Sequence, residues 1–485
     1  MSISKSIGKA TMWSFAAEIA AKLITPITNI ILARILAPEA FGIIATINMV
    51  VSLADTFSTA GFQKYVIQHD FSNKEELSKS ATVAFWTNLV VTFIAWAIIA
   101  IFSTPITIRI GNPGYETALV VAALALPLTG LSSIHEALFQ RELDYKTLFI
   151  RRLVVSLLPF LVTIPLALLG FDYWSIIMGS LVGCVVKAAL LAWKSTWRPR
   201  FYYSIKCLYK MFSFSVWTFF ESLALWASTY IDILIISNAL GNYYTGLYRN
   251  SQILVSSILS VITGATTSVL FSSLSRCQDN DTEFKRVFFT FQKYTAVFVL
   301  PLGVLLFTLR DTVTAILLGS QWMEASFFIG IWGLCTSLVC VFGTYCREVY
   351  RAKGSPKTSL VAQLFHLVFI IPICYYFVRL GFHALSIARS LAYLQIILVH
   401  FVIVYYRYRL SAVDMIKAVK EPLLFSILIG IITFIAVRTM DSTILNGVLI
   451  GIVSVILYFG ALLLIPPYRK DAQMLLNKKS KKHND

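Results

Sequence analysis

The amino-acid sequence predicts an all-α integral membrane protein. About fourteen crossings are expected, as two pseudo-symmetric six-helix lobes around a central cavity followed by two further helices. Three observations predict this. Of the 485 residues, 58% are hydrophobic and 13% charged, and the mean hydropathy is +0.76, outside the range of soluble domains. Apolar runs about 20 residues long recur from end to end, each long enough to cross a hydrocarbon layer. A weak internal repeat at an offset of 204 places Trp13 on Trp217, Phe15 on Phe219, Thr25 on Thr229 and Gly42 on Gly246.

The first two crossings lie between Trp13 and Gln63 and turn at Ala37-Pro38-Glu39-Ala40. Both are apolar cylinders with one wet stripe. On the first the stripe holds Ser14, Glu18, Lys22, Thr25 and Asn29, and on the second Asn48, Ser52, Asp55, Thr59 and Gln63, in steps of three and four. An ionisable group at the centre of a spanning helix costs about 3 kcal/mol, so Glu18, Lys22 and Asp55 are expected to face a bundle interior or watery cavity. Hydroxyls alone would serve equally as glue between helices. Arg34 ends the first helix, and Pro26 removes a backbone hydrogen bond within it and is a candidate hinge.

Further apolar runs cover 81–103, 117–139, 153–169 and 173–193, which closes an N-terminal lobe over 1–196. The basic segment 197–210 is a connector. The second lobe, 211–405, contains runs at 212–236, 246–274, 288–309, 325–346, 358–378 and 382–405. Two more, 422–437 and 445–465, fall within 406–468, and 469–485 is a basic tail. An even number of crossings separates the two copies of the repeat, so both copies point the same way and their symmetry axis runs along the membrane normal. The repeat also carries the wet stripes over. Ser215, Glu221, Ser222 and Asp232 line one third of the seventh helix, while Arg249, Gln252, Ser256 and Thr263 mark the eighth.

The net charge of +17 follows topology and not nucleic acid. Lys64, Lys74, Arg141, Arg151, Arg200, Lys210, Arg286, Arg351 and Arg409 all fall on one set of loops, which the positive-inside rule assigns, with both termini, to the cytoplasm. Among single charges, Glu136 is expected to pair with Arg141, Lys187 to reach the interface, and Arg389 to face either the cavity or the outer surface. His366 reads as a packing residue, and the pairs Gly179/Gly183 and Gly447/Gly451 permit close helix contact without requiring a dimer. The seven cysteines show no C-x-x-C and the histidines no H-E-x-x-H, so neither a disulfide framework nor a metal is expected.

Trp13-Ser14-Phe15, then ILARILAPEAFG up to Gly42, then AGFQKYVIQHD from Ala60 to Asp70, resemble the start of Wzx-type polysaccharide exporters, nearest the colanic acid and teichuronic acid exporter subgroup. Lipid II flippases and MATE-type drug/cation antiporters belong to the same superfamily. The resemblance implies two six-helix lobes, a V-shaped cavity and alternating access. It implies a multi-pass protein of the bacterial cytoplasmic membrane that flips a polyprenyl-diphosphate-linked oligosaccharide (an O-antigen, capsule or exopolysaccharide repeat unit) to the outer leaflet. Helices one, two, seven and eight would line the cavity. The clustered first-helix arginines of the lipid II branch are not matched, since Lys22 and Arg34 stand there with Glu18. No cofactor is implied beyond a coupling ion, H+ or Na+. The implied partners are the lipid-linked oligosaccharide, membrane lipid, a polysaccharide polymerase and glycosyltransferases.

Two other readings stay open. Asp55, Glu221 and Asp232 suit a MATE-like multidrug or cation antiporter. A membrane polymerase would need catalytic groups on a substantial outer loop, but the loops near 104–116 and 310–324 are short and hold no paired carboxylates, so no enzyme is expected.

Overall fold

In the computed structural model the described residues are 24–59, 62–441, 443–470 and 473, and every regular element among them is a helix. Glu18 and Lys22 lie outside the described residues, and so do the side chains of Thr59 and Glu221. Helix α1 is described over Ile24–Ile35. It is followed by α2 (Pro38–Thr59), α3 (Phe62–Gln68), α4 (Lys74–Ile101), α5 (Ser103–Arg109), α6 (Glu116–Ala123), α7 (Ala125–Arg141), α8 (Tyr145–Leu158), α9 (Ile164–Leu168) and α10 (Tyr173–Lys194). Helix α11 (Ile205–Arg276) is the longest element. After it come α12 (Asp281–Thr308), α13 (Arg310–Leu317), α14 (Ser326–Val339), α15 (Tyr345–Ala352), α16 (Pro356–Phe377), α17 (Phe382–Tyr408), α18 (Ala412–Ala418), α19 (Lys420–Thr439) and α20 (Ile444–Leu463).

Among the described residues, twelve helical stretches are long and apolar enough to cross a membrane. The sequence reading of about fourteen differs for two local reasons. The described part of α1 is only Ile24–Ile35, and the 43-residue stretch Ser222–Gly264 counts once. That stretch breaks at Gly241, where φ is 78° and ψ −174°, a backbone state that glycine reaches without a Cβ penalty. The two arms of α11 are therefore separate rods joined at one residue.

Polar residues start the helices where the apolar runs end. Asn73 caps α4 by accepting from the Glu76 N–H at 2.8 Å, and the Glu76 carboxylate accepts from the Ser72 N–H at 2.9 Å. Asp144, Asn280 and Thr443 cap α8, α12 and α20 in the same way. A π-turn over Pro159–Thr163 joins α8 to α9 beside two prolines, and a second, Cys340–Thr344, joins α14 to α15. At the second, the Gln292 side chain donates to the Val341 carbonyl at 3.3 Å, satisfying an acceptor within the irregular turn.

The chain forms two compact units, one of residues 1–250 with 374–382, the other of 251–373 with 383–485. In the first, Ile43, Ile47, Ile99, Leu119, Leu126 and Ile177 form one apolar cluster, and Val66, Ala84, Phe85, Ile134 and Met211 another. In the second, Val297, Ile429, Tyr458 and Leu462 pack together. Within the first unit the sequence repeat becomes a physical contact. A Cβ on Gly42 would lie 1.9 Å from the Asn242 carbonyl oxygen, and one on Gly246 would lie 1.8 Å from that of Pro38. Asn242 is Pro38 plus the offset, and Gly246 is Gly42 plus the offset, so the two turns touch reciprocally, as surfaces related by a two-fold axis do.

The spaced glycine pairs pack inside the chain. A Cβ on Gly179 of α10 would meet the Thr163 hydroxyl at 1.9 Å, and one on Gly447 of α20 would meet that of Thr312 at 2.1 Å. Helices α19 and α20 are tied by Thr433 and Ser454, whose hydroxyls lie 2.7 Å apart, a contact worth about 0.6 kcal/mol in a membrane interior.

Candidate functional site

The wet stripes of α1, α2 and α11 supply the polar groups of the first unit. Asn29 of α1 donates from its amide to the Asn250 side-chain oxygen at 3.5 Å. Asn250 is buried, and among the described residues its own amide N–H group has no hydrogen-bond partner. On α2, Ser52 accepts from the Trp226 indole N–H at 3.2 Å, and the same N–H reaches the Met49 carbonyl at 3.1 Å. Three residues on, a step that rotates about 60° back round the helix, Asp55 turns to α7 and accepts from Thr129 at 3.4 Å. One stripe therefore serves two neighbours.

Along α11, Trp226 and Tyr230 are one turn apart and their rings stack at 5.8 Å. The Arg249 guanidinium lies over the Tyr230 ring at 5.4 Å, having returned from the far side of the Gly241 break. Arg249, Tyr230, Trp226 and Ser52 thus form a continuous row of cation, two aromatic faces and hydroxyl. Beside it, Asp232 is 2% exposed and accepts from the Tyr248 hydroxyl and from the Ile233 N–H, which fastens the two arms of α11 together.

The remaining expected residues are placed apart. Arg34 and Asn48 are exposed on α1 and α2. Pro26 lies in the first described turn of α1, so the backbone before it, where a hinge would show, is outside the described residues. Gln252 and Arg389 belong to the second unit, and both are buried. Arg389 does not face outward: its guanidinium lies 4.8 Å from the Trp332 ring and 5.6 Å from that of Tyr393. His366, also buried, meets Gln395 at 3.3 Å as a packing residue.

The expected pair of Glu136 and Arg141 does not form. Five residues on one helix are about 140° apart in direction, so the two side chains leave α7 on different faces. Glu136 instead accepts from Arg151 of α8 at 3.0 Å and from Lys187 of α10 at 2.9 Å. Arg141 donates to the carbonyls of Val66, Ile67 and His69 at 3.0, 3.1 and 2.7 Å, closing the C-terminal end of α3.

Sequence reasoning missed Trp226, Tyr230, Tyr248 and Asn250. The four-residue step from Trp226 to Tyr230 was visible, but aromatic residues are so common here, at 14% of the chain, that the step singled out nothing. Among the described residues no three His, Cys, Asp or Glu side chains converge as metal ligands would. The row offers instead flat apolar faces, a hydroxyl and one cation, with the Asn29–Asn250 amide pair as a separate contact. Groups of these kinds are chemically suited to flat rings, to hydroxyls and to an anionic oxygen.

Residues 31–327 match the family model described as "Polysaccharide biosynthesis protein". The chain is 24% identical over 342 residues to the succinoglycan biosynthesis transport protein ExoT of Rhizobium meliloti, covering 70% of this chain and 68% of that one. It is 23% identical to the lipopolysaccharide biosynthesis protein WzxC of Escherichia coli, over 74% of this chain and 70% of that one. In fold it is similar to a lipid II flippase MurJ in an inward closed conformation, with a TM-score of 0.75 at 16% identity, over 94% of this chain and 98% of that one. An inward-facing MATE family transporter is similar at a TM-score of 0.55 and 15% identity, over 83% and 96%.

Proposed function

The chain belongs to the polysaccharide biosynthesis protein family, and on that premise we propose that it moves a polyprenyl-diphosphate-linked oligosaccharide from the inner to the outer leaflet of a bacterial cytoplasmic membrane. The observation that carries the reading is the row of Arg249, Tyr230, Trp226 and Ser52 in the first unit, with the Asn29 and Asn250 amides nearby on α1 and α11. Sugar rings stack on the aromatic faces, hydroxyls bond to the amides, and the diphosphate takes a cation from Arg249 or from Lys22. The prenyl chain needs no polar site and stays in lipid. Between cargoes Glu18, four residues before Lys22 on the first stripe, supplies the counter-charge for that cation. Alternating access of the two lobes, with H+ or Na+ as the coupling ion, completes the cycle. On this reading the protein transports and does not catalyse, and the polymerase and glycosyltransferases that supply and use its cargo are separate chains.

The Lys/Arg bias supports termini and connector in the cytoplasm. Single cysteines placed near Lys74 or Tyr203 are then shielded from an impermeant thiol reagent until cells are opened. The transport reading is tested by deleting the gene in cells without a second exporter. Lipid-linked repeat units then accumulate on the inner leaflet and surface polysaccharide disappears. Normal arrival of those units at the outer leaflet refutes it.

The buried Asp232 favours a second reading, exchange of an organic cation. Reconstituted protein that takes up such a cation against a proton or sodium gradient, and fails to flip lipid-linked sugar, would establish that reading.

A further inference from the structure

We propose that the segment from Trp193 to Lys210 is a binding surface for anionic phospholipid headgroups. The proposal goes beyond the transport reading and needs from it only the cytoplasmic orientation. Lys194, Arg198, Arg200, Lys206 and Lys210 lie in this segment, and it contains no Asp or Glu. Four of its large side chains are exposed, Phe201 fully and Trp193, Ile205 and Tyr209 each about three-quarters, while Trp197 packs inward on Phe85 and His135. Trp193 stands in the last turn of the preceding candidate span, and Phe201, Ile205 and Tyr209 lie between the end of that span at Lys194 and the apolar run 212–236, so these three do not face acyl chains along a crossing. Exposed aromatics mixed with Lys and Arg at the end of a crossing match the chemistry of the headgroup layer, where amphipathic rings and cations are both stabilised. Anionic lipid supplies the complementary charge, worth about five-fold in partition per cation close to the surface.

The segment is also held in shape. The Trp86 indole N–H of α4 donates to the Arg200 carbonyl at 2.9 Å, and the Trp86 ring stacks on Phe201 at 5.6 Å. The hydroxyls of Thr87 and Tyr203 lie 3.0 Å apart. On the first turns of α11, Cys207 and Met211 face inward, Cys207 meeting the Ser80 hydroxyl at 3.4 Å, while Ile205 and Tyr209 face out. Between this strap and α4 lies an open cleft of about 320 Å³ whose lining includes Lys79, Tyr202, Ser204, Lys206 and Lys210. Two carboxylates also border it, and both are engaged: Glu75 pairs with Lys79 at 2.8 Å and Glu76 accepts from the Ser72 N–H. Lys206 and Lys210, one turn apart and exposed, are the cations presented to a headgroup. Because the strap runs straight into the arm of α11 that carries Trp226 and Tyr230, lipid held there bears on the first rod of that helix.

The test uses the full-length protein in nanodiscs of phosphatidylcholine alone and of two parts phosphatidylcholine to one of phosphatidylglycerol. The readout is amide hydrogen exchange over residues 197–211. The proposal expects slower exchange in the anionic discs. That slowing should be weakened by high salt in the wild type, and reduced about ten-fold or more in Lys206→Gln/Lys210→Gln. Equal exchange in both compositions overturns it, as does slowing that ignores salt. Slowing produced in phosphatidylcholine discs by added undecaprenyl diphosphate, and not by phosphatidylglycerol, also overturns it and assigns the strap to cargo. The salt series needs no variant, so poor folding of the double variant leaves the proposal testable.

Discussion

Replacing Gly246 with alanine should force α2 and α11 apart where they touch. The new Cβ would sit 1.8 Å from the Pro38 carbonyl oxygen, whereas ordinary contact begins at 3.4 Å, so the backbones must separate by about 1.6 Å. The obstacle is backbone, with no flexible side-chain end to swing away, and overpacking of this kind costs about 1–3 kcal/mol. Gly42→Ala meets the Asn242 carbonyl at 1.9 Å and should cost about the same. Because the two contacts are reciprocal, one separation relieves both. The double variant should then cost little more than either single variant, a coupling of about 1–3 kcal/mol in a double-mutant cycle. The assay is the apparent melting temperature of detergent-purified protein, by loss of the monodisperse peak after heating, for the wild type, both single variants and the double. Unchanged melting in the single variants would show that the close contact is not formed. Strictly additive losses would show that the two turns do not move as one element.

Three further outcomes follow from contacts within single units. Glu136→Gln should lower stability by about 2–3 kcal/mol, because Arg151 and Lys187 lose the carboxylate between them, and adding Lys187→Met should recover part of the loss in the same melting assay. Tyr345 is fully buried with its hydroxyl against those of Thr266 and Thr295, so Tyr345→Phe should cost about 1–2 kcal/mol, while Thr266→Val alone should cost less since Thr295 still satisfies the phenol. Asp232→Asn keeps a hydrogen bond to Tyr248 but removes the charge, so abundance and surface polysaccharide should both stay near wild type; loss of export at normal abundance would instead make Asp232 a coupling-ion site of the same transport.

What the sequence determined by itself is what the bilayer dictates segment by segment. A crossing must be apolar and helical because backbone groups find no water there, so spans, turns and orienting cations can all be read along one dimension. The face of each helix is likewise set by the 3.6-residue period, which is why Asn29, Ser52, Asp55 and Asp232 were picked out and do meet polar partners. The offset of 204 was visible too, but not that Gly42 and Gly246 use it to touch each other's turns. Only the tertiary structure decided which faces meet. Glu136 passes over Arg141 on its own helix for Arg151 and Lys187 on two others, and Arg249 reaches Tyr230 only because Gly241 turns the chain back. The physical reason is that a stripe fixes a direction around one helix axis, whereas a partner depends on the crossing and axial offset of a second helix, set by the packing of all the apolar side chains between them.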